Sequence, residues 1–316
     1  MTDPQTGSRD ASLSILTDGL QFPEGPVAMA DGAVCLVEIQ RQTITRVSPE
    51  GRRDILAEVP GGPNGMAVGP DGAFYVCNNG GFLFRKTNGF TRTRPGVPEG
   101  YTGGSIDRVS RDGKSIEVLY DRCGEHRLTG PNDIVFDDQG GFYFTDFGKL
   151  YDRHRTLGGL YYAQADGSGI VEVAYPMLQP NGVGLSPDFR TVYVAETETG
   201  RLWAFDLAGA GVAVKAPFPS PHGGRLLSTL PAYQRLDSMA VEADGNICVA
   251  TLMSGVITVF SPGGEVLEQV RTGDPITTNI CFAGPDMRTA YVTLSGSGRL
   301  AAMDWPRPGL KPFHNA

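Results

Sequence analysis

Six short stretches of this chain share one pattern, and each carries an acid or an amide at the same point. The residues at this point are Glu24, Asn64, Asn132, Asn181, Asp237 and Asn279. An alternating apolar run, a turn and a second apolar run follow, as in PNGMAVGPDGAFYV at 63–76. Carboxylate and amide oxygens suit hard cations such as Ca²⁺, Mg²⁺ or Mn²⁺. If the fold brings these six leading residues together, the sequence predicts a metal site.

The elements that would position them are short strands. Apolar residues alternate with period two in many runs, DG, PG and GG turns separate the runs, and no helical periodicity is evident. The leading residues recur 40 to 68 residues apart. A repeat of about 40–50 residues with four short strands is typical of a β-propeller blade. We therefore predict an all-β protein, a six-bladed β-propeller with four-stranded blades.

A propeller would gather the leading residues at one mouth of its central channel, because equivalent positions of the inner strands form a circle. Two carboxylates in that circle repel each other unless a cation lies between them. We expect one domain over residues 12–308, preceded by a disordered segment, 1–11. The strand expected in Ser12–Leu20 should close the ring beside Gly298–Met303. The longer gaps predict insertions at about 80–127 and 215–231.

Composition narrows the function. The net charge is −8 without a basic cluster, so a nucleic-acid partner is not expected. No apolar run reaches the roughly 20 residues of a membrane span, and no signal peptide is evident. Five scattered cysteines without a CxxC favour a reducing compartment, so we predict a cytoplasmic protein without a membrane partner.

Other chemistry finds less support. The sequence has no G-x-G-x-x-G, P-loop or G-x-S-x-G motif. Cys77 has no evident His partner and fits a buried thiol better than a nucleophile. Asp146 and Glu196 follow second strands, where a structural role is expected. A single P-N-G is typical of a turn, but four leading amides in register with two acids favour ligands.

The ordered set FPEGP, GPNDIVFDDQGGFYFTD, QPNGVGLSPD, ETETGRLWAFD and LDSMAVEADGNICVA resembles the family of senescence marker protein (regucalcin) and the gluconolactonases. The resemblance spans about residues 15–305. It implies a six-bladed propeller with one divalent cation at the channel mouth. The family's ligands fall on Glu24, Asn181 and Asp237, and a second Asn that contacts metal or substrate falls on Asn132.

One position departs from the family pattern. Regucalcin-type lactonases carry an Arg two residues before the second Asn, where it contacts the sugar lactone, and Gly130 stands there. His126 or Arg127 would be a substitute. We therefore assign substrate binding to Asn132, Asn64, His126 and Arg127, and place Asn279 in the channel lining.

The resemblance implies a metal-dependent hydrolase of small lactones, in which the cation polarises the carbonyl and Asp237 serves as general base. Ca²⁺ is the first candidate cation; Mg²⁺, Mn²⁺, Zn²⁺ or Fe²⁺ are alternatives. Three other functions stay open at this point: hydrolysis of phosphotriesters, a non-catalytic calcium-binding propeller, and a metal-free propeller similar to strictosidine synthase. The polar ring argues against the last two.

Overall fold

The computed structural model describes residues 7–10 and 12–314. These residues form strands and turns without a helix, so the described part of the chain offers no helix able to cross a membrane. Most of the strands build six sheets with four antiparallel strands each, the blades, numbered here in chain order by their inner strands. The six-bladed β-propeller predicted from the sequence is confirmed.

The strands of each blade follow one another from the inner to the outer edge. Blades 1 to 3 comprise Pro23–Ala28, Val34–Glu38, Thr43–Val47 and Arg53–Glu58; Pro63–Val68, Phe74–Asn78, Ser105–Val109 and Ile116–Tyr120; Pro131–Phe136, Gly141–Asp146, Gly158–Gln164 and Ile170–Met177. Blades 4 to 6 comprise Pro180–Leu185, Thr191–Glu196, Arg201–Gly209 and Arg225–Thr229; Arg235–Val241, Ile247–Leu252, Val256–Phe260 and Val266–Arg271; Thr277–Ala283, Thr289–Leu294, Arg299–Asp304 and Ser14–Thr17.

The N-terminal strand closes the ring. Ser14–Thr17 pairs antiparallel with Arg299–Asp304 and completes blade 6, as the sequence predicts. Gly7–Asp10 pairs parallel with Val266–Arg271 at the outer edge of blade 5. This strand belongs to the segment 1–11 expected to be disordered; the rest of that segment, 1–6 and 11, lies outside the described residues.

The core is divided into layers between neighbouring blades. Apolar side chains from the two faces of adjacent sheets form separate clusters, as where Val37 and Ile44 of blade 1 meet Val68 and Phe74 of blade 2. The two inner strands of each blade are covered on both faces and almost wholly buried, whereas the outer strands, such as Arg53–Glu58, are partly exposed and carry polar residues. This packing holds the inner strands around a common axis, and each contacts the next around the ring.

The predicted insertion boundaries need correction. Ser105–Val109 and Ile116–Tyr120 are the outer strands of blade 2, so the large insertion ends before residue 105. It forms a hairpin of Leu83–Thr87 and Phe90–Arg94, hereafter the mouth hairpin. The insertion predicted at 215–231 contains the fourth strand of blade 4, Arg225–Thr229. The additional residues of blade 4 form a loop before this strand, which includes the short strand Val212–Ala213.

The chain continues past the predicted domain end at residue 308. Gly309 forms a bridge with Glu242, and the Leu310 N–H donates to the carbonyl oxygen of Val241 at 2.8 Å. Residues 310–314 then line an apolar cavity of about 160 Å³, together with residues of several inner strands such as Met66 and Phe282. The end of the chain therefore packs against the inner strands.

Candidate metal and substrate site

Every inner strand is distorted at its leading residue. Regular pairing with the second strand skips 64–65, 132–133, 181–182 and 237–238. It breaks directly after Glu24 in blade 1 and directly before Asn279 in blade 6. A β-bulge leaves a residue unpaired and re-aims its side chain. The six positions therefore share a backbone irregularity as well as a sequence frame.

The distortion brings the leading residues to one cavity. It has a volume of about 310 Å³, and the leading residues that line it are Glu24, Asn64, Asn132, Asn181 and Asp237. Asn279 lies beside them, since its Nδ2 donates to Glu24 Oε2 at 2.8 Å, and it lines the apolar cavity. The volume is at the lower end of that of small-molecule sites.

Small residues let the inner strands approach at this end. A Cβ added to Gly65 would lie 2.4 Å from the carbonyl oxygen of Asn132, and one added to Gly182 would lie 2.6 Å from that of Asp237. Both glycines directly follow a leading residue, so blades 2 and 4 each touch the backbone of the leading residue in the following blade. The width of the cavity is set by these contacts.

Acids at the ends of second strands hold the loops that lead into the inner strands. Asp146 accepts hydrogen bonds from the Thr129 and Gly130 N–H groups at 2.6 and 2.7 Å. Glu196 likewise accepts from the Leu178 N–H at 2.7 Å. These buried acids have the structural role expected of them, since each holds the backbone two or three residues ahead of a leading residue.

Glu24 is a buried carboxyl held by two donors on one oxygen. Its Oε2 accepts from the Gly25 N–H at 2.6 Å and from Asn279 Nδ2 at 2.8 Å. Desolvation nevertheless raises the pKa of Glu24 to about 7, because these hydrogen bonds only partly offset burial. A proton or a cation is therefore favoured at this carboxyl at neutral pH.

Asp237 is in the same condition. Its Oδ1 accepts from the Ser238 N–H at 3.0 Å, while burial and the charge of Glu24 raise the pKa of Asp237 well above its usual range. Asn181 lies beside it, where Ser238 Oγ is 3.4 Å from Asn181 Oδ1. The two acids therefore interact, although 213 residues separate them in the chain.

Sequence reasoning missed a third buried acid, Asp133. Its oxygens accept from the N–H groups of Ile134 and Val183 at 3.0 and 3.2 Å. Burial and the charge of Glu24 raise the pKa of Asp133 to about 8. One signal was available: blade 3 reads PND where blades 2 and 4 read PNG.

This donor set fits a divalent cation. Among residues 7–10 and 12–314, Glu24, Asp133 and Asp237 have no Lys or Arg ion-pair partner, and the side-chain amides of Asn64 and Asn132 make no hydrogen bond. Within the same residues no three His, Cys, Asp or Glu side chains form a metal-binding group. A bound cation would favour the charged carboxylates and offset their desolvation.

Two predicted substrate contacts lie elsewhere. His126 and Arg127 are exposed in a small hairpin that pairs them with Arg122–Cys123. Neither side chain lines the cavity, and Arg127 is 3.7 Å from Asp121 instead. Gly130 packs so closely that an added Cβ would lie 2.7 Å from the Gly148 carbonyl oxygen. The structure therefore leaves no room for a side chain at that position.

Cationic residues from other places line the cavity. Lys149 is buried, and its Nζ donates to the Gly81 carbonyl oxygen at 2.8 Å and lies 4.5 Å from the centroid of the Phe82 ring. Burial lowers the pKa of Lys149 to about 7. Arginines of the mouth hairpin also line the cavity. No motif marks these residues: the path of the insertion brings the arginines here, and the loop after the second strand of blade 3 brings Lys149.

The fold is that of a six-bladed propeller with a polar cavity at one end of its channel. The family model described as "SMP-30/Gluconolactonase/LRE-like region" matches residues 22–296, and the chain belongs to this family. Lactonase drp35 of Staphylococcus epidermidis is 28% identical over 269 residues, covering 84% of this chain and 74% of that protein.

Solved structures agree on the fold. A calcium-binding regucalcin from Agrobacterium tumefaciens has a TM-score of 0.75 at 16% identity and covers 97% of this chain and 98% of its own. A gluconolactonase from Xanthomonas campestris has a TM-score of 0.72 at 22% identity and covers 94% and 90%. Both confirm the propeller architecture.

Proposed function

We propose that this protein hydrolyses small lactones with the help of one divalent cation. The observation that carries the proposal is the convergence of two buried acids and three amides, without a cationic partner, in one cavity of ligand size. The similarity to lactonases, one of them 28% identical, supports the substrate class. The carbonyl of a lactone is the group that such a site would activate.

Glu24, Asn132, Asn181 and Asp237 would hold the cation through oxygen. Ca²⁺ suits this set best, because amide and carboxylate oxygens in a flexible arrangement are its usual ligands; Mg²⁺, Mn²⁺, Zn²⁺ and Fe²⁺ are alternatives. When bound, the cation supplies a Lewis acid for the lactone carbonyl. Glu24 serves as an anchor, since the Gly25 and Asn279 donors fix its orientation.

Asp237 takes the proton of the attacking water. The water oxygen bonds to the lactone carbonyl carbon, the ring C–O bond breaks, and the proton passes to the ring oxygen, so that a hydroxy acid leaves. Asn64 and Asn132 have free amide groups at the cavity, and we assign them to substrate orientation. Phe82 and Phe147 also line the cavity and exclude water around the reacting bond.

The test is hydrolysis of a lactone panel, including glucono-δ-lactone, dihydrocoumarin and γ-butyrolactone, followed by pH-stat on metal-free and Ca²⁺-loaded protein. We expect turnover only with the cation, and Asp237→Asn should lower kcat by about 10²–10⁴-fold while the fold is retained. Near-normal turnover of that variant removes Asp237 from the mechanism. Calcium binding without hydrolysis of any lactone would contradict the proposed lactonase activity.

The cysteines bear on the cellular location of the protein. All five cysteines are free thiols. Burial raises the pKa of Cys77 well above its usual range, so it is neither a nucleophile nor an easily oxidised group. Free thiols suit a reducing compartment, and we propose the cytoplasm.

A further inference from the structure

The mouth hairpin forms a fixed wall of the cavity. The Thr91 N–H donates to the Gly296 carbonyl oxygen of blade 6 at 2.8 Å, and the Gly96 N–H, just after the hairpin, donates to that of Leu150 in blade 3 at 2.9 Å. On a third side the rings of Phe84 and Phe22 have centroids 5.1 Å apart. The hairpin is therefore anchored on blades 1, 3 and 6.

Three arginines of this wall line the cavity: Arg85, Arg92 and Arg94. Arg92 lies directly opposite Arg85 in the hairpin, and Arg94 is two residues further along. Like charges placed opposite each other destabilise a strand pair. The repulsion between these arginines therefore lowers the stability of the hairpin at the place where its side chains line the cavity.

The charges of these arginines are not neutralised by the protein. Within residues 7–10 and 12–314, none of the three makes an ion pair or a side-chain hydrogen bond, and the Nε of Arg92 is buried without a partner. By contrast Arg235, which lines the same cavity, is 2.6 Å from Glu198. Arg85 and Arg94 are exposed to solvent and Arg92 is half-buried, so their guanidinium groups are free to bind an anion that enters the cavity.

The rest of the lining points the same way. The buried ammonium of Lys149 contacts a carbonyl oxygen and aromatic rings, and no acid lies within ion-pair distance among the described residues. The whole chain carries a net charge of −8, so a cationic cavity wall does not reflect its composition. The acids Glu24 and Asp237 lie with the other leading residues, where we place the cation.

We propose that the substrate is an anionic lactone, whose carboxylate or phosphate group is bound by Arg85, Arg92 and Arg94 while its ring reaches the leading residues. This inference rests on the proposed lactonase function and names its substrate class. Arginine binds both anions through paired N–H donors, so the shared chemistry is an oxyanion substituent on the lactone. Lys149 lies along the same wall and adds to the positive potential.

Two matched substrate pairs test the inference on the Ca²⁺-loaded full chain. One compares 5-oxotetrahydrofuran-2-carboxylate with its carboxamide, and the other compares 6-phosphoglucono-δ-lactone with glucono-δ-lactone. We expect kcat/KM to favour one anionic member by about tenfold or more, mainly through KM, and to lose this preference between 20 and 500 mM salt. The pair in which the anionic lactone is preferred shows whether the site binds a carboxylate or a phosphate.

Variants locate the effect. Arg92→Gln and Arg85→Gln should lower kcat/KM for the anionic lactone about tenfold more than for its neutral partner. Lys86→Gln is the matched control, because Lys86 lies next to Arg85 in the same strand, is exposed, and does not line the cavity; it should change neither rate. The inference would be overturned if kcat/KM were equal for the anionic and neutral lactones of both pairs. It would also be overturned if the arginine variants lowered kcat/KM equally for the anionic lactone and its neutral partner.

A binding measurement separates this inference from the lactonase proposal. Tetrahydrofuran-2-carboxylate and tetrahydrofuran-2-carboxamide have no ester bond, so calorimetry reports anion binding without hydrolysis. Arg92-dependent binding of the carboxylate in a protein that hydrolyses no lactone would sustain the anion site and refute the enzyme. Turnover of neutral and anionic lactones alike, with equal binding of both analogues, would refute the anion site and sustain the enzyme.

Discussion

At the scale of single residues, burial of the acids at the channel mouth makes the charged carboxylates unfavourable, so that they hold protons near neutral pH. A bound cation can take the place of these protons. In the folded metal-free chain the pKa of Glu24 is about 7 and that of Asp133 about 8, against 4.5 and 3.8 ordinarily. The folded state then holds protons that the unfolded state has lost above pH 4.5. Stability contributed in this way is present at low pH and disappears as pH rises through about 7–8.

We therefore expect the unfolding temperature of the metal-free protein to fall between pH 5.5 and pH 8. Ca²⁺ should raise it more at pH 8, where the cation need not displace a proton, than at pH 5.5. Thermal scans of dialysed protein with and without Ca²⁺ measure both effects, with Asp237→Asn as the control that loses the calcium shift. A Ca²⁺ effect of equal size at both pH values would contradict this account.

Lys149 offers a second test at this scale. Its pKa of about 7 lies below the ordinary 10.5, so folding buries a cation at a cost that grows as pH falls from 10.5 and is complete below 7. Lys149→Met should raise the free energy of unfolding by about 1–3 kcal/mol at pH 6 and by less at pH 9.

Denaturant titrations at the two pH values measure this difference. The exposed Lys86→Met is the control and should show no such pH dependence. A gain for Lys149→Met that is the same at pH 6 and pH 9 would show that packing, and not the buried charge, explains it.

At the scale of elements, the bulged start of each inner strand sets the site. Gly182→Ala would place a Cβ 2.6 Å from the Asp237 carbonyl oxygen, so blades 4 and 5 must separate. We expect a loss of about 1–3 kcal/mol in stability and weaker Ca²⁺ binding.

Calorimetry and thermal unfolding check this expectation. Gly209→Ala, also in blade 4 and with no atom within 4 Å of the added Cβ, should leave both unchanged. If Gly182→Ala binds Ca²⁺ as tightly as the parent, the inner strands do not fix the spacing of the ligands.

The strands and their order around the ring were predictable, because their period-two pattern recurs in a constant frame. The outer strands of blade 2 were not, since SIDRV at 105–109 and IEVLY at 116–120 lie in the longest gap of the repeat. The fourth strand of blade 4, Arg225–Thr229, likewise falls within a predicted insertion. The bulges and the cavity-facing arginines depend on contacts between distant segments. Such contacts leave no local pattern.

At the scale of the whole molecule, ring closure joins the two ends of the chain. Removing residues 1–20 would delete the strand that pairs with Arg299–Asp304 and expose the edge of Arg299–Asp304. It would also remove Leu20 and uncover the apolar cluster in which Leu20 packs with residues such as Val34 and Leu300. We expect a loss of roughly 3 kcal/mol or more, about 6 °C in unfolding temperature.

Removing only residues 1–11 is the comparison. It deletes the outermost strand of blade 5 and ion pairs such as that of Arg271 with Asp10, both partners of which are largely exposed, and should cost much less. Thermal scans of both truncated proteins decide the matter, and equal losses would contradict the closing role of Ser14–Thr17.

Within the described part of the chain, no other blade has a strand hairpin between its second and third strands, so the mouth hairpin removes the near-sixfold sameness of the rim. A channel built of L-residues is chiral in itself, but a ligand bound only at the leading residues can take up several rotations about the channel axis. A ligand held also at its charged end by one lateral wall has a single orientation, so its two enantiomers present different faces to the leading residues. Mirror-image lactones should then react at unequal rates, with the stereochemical preference residing in an insertion rather than in the repeat.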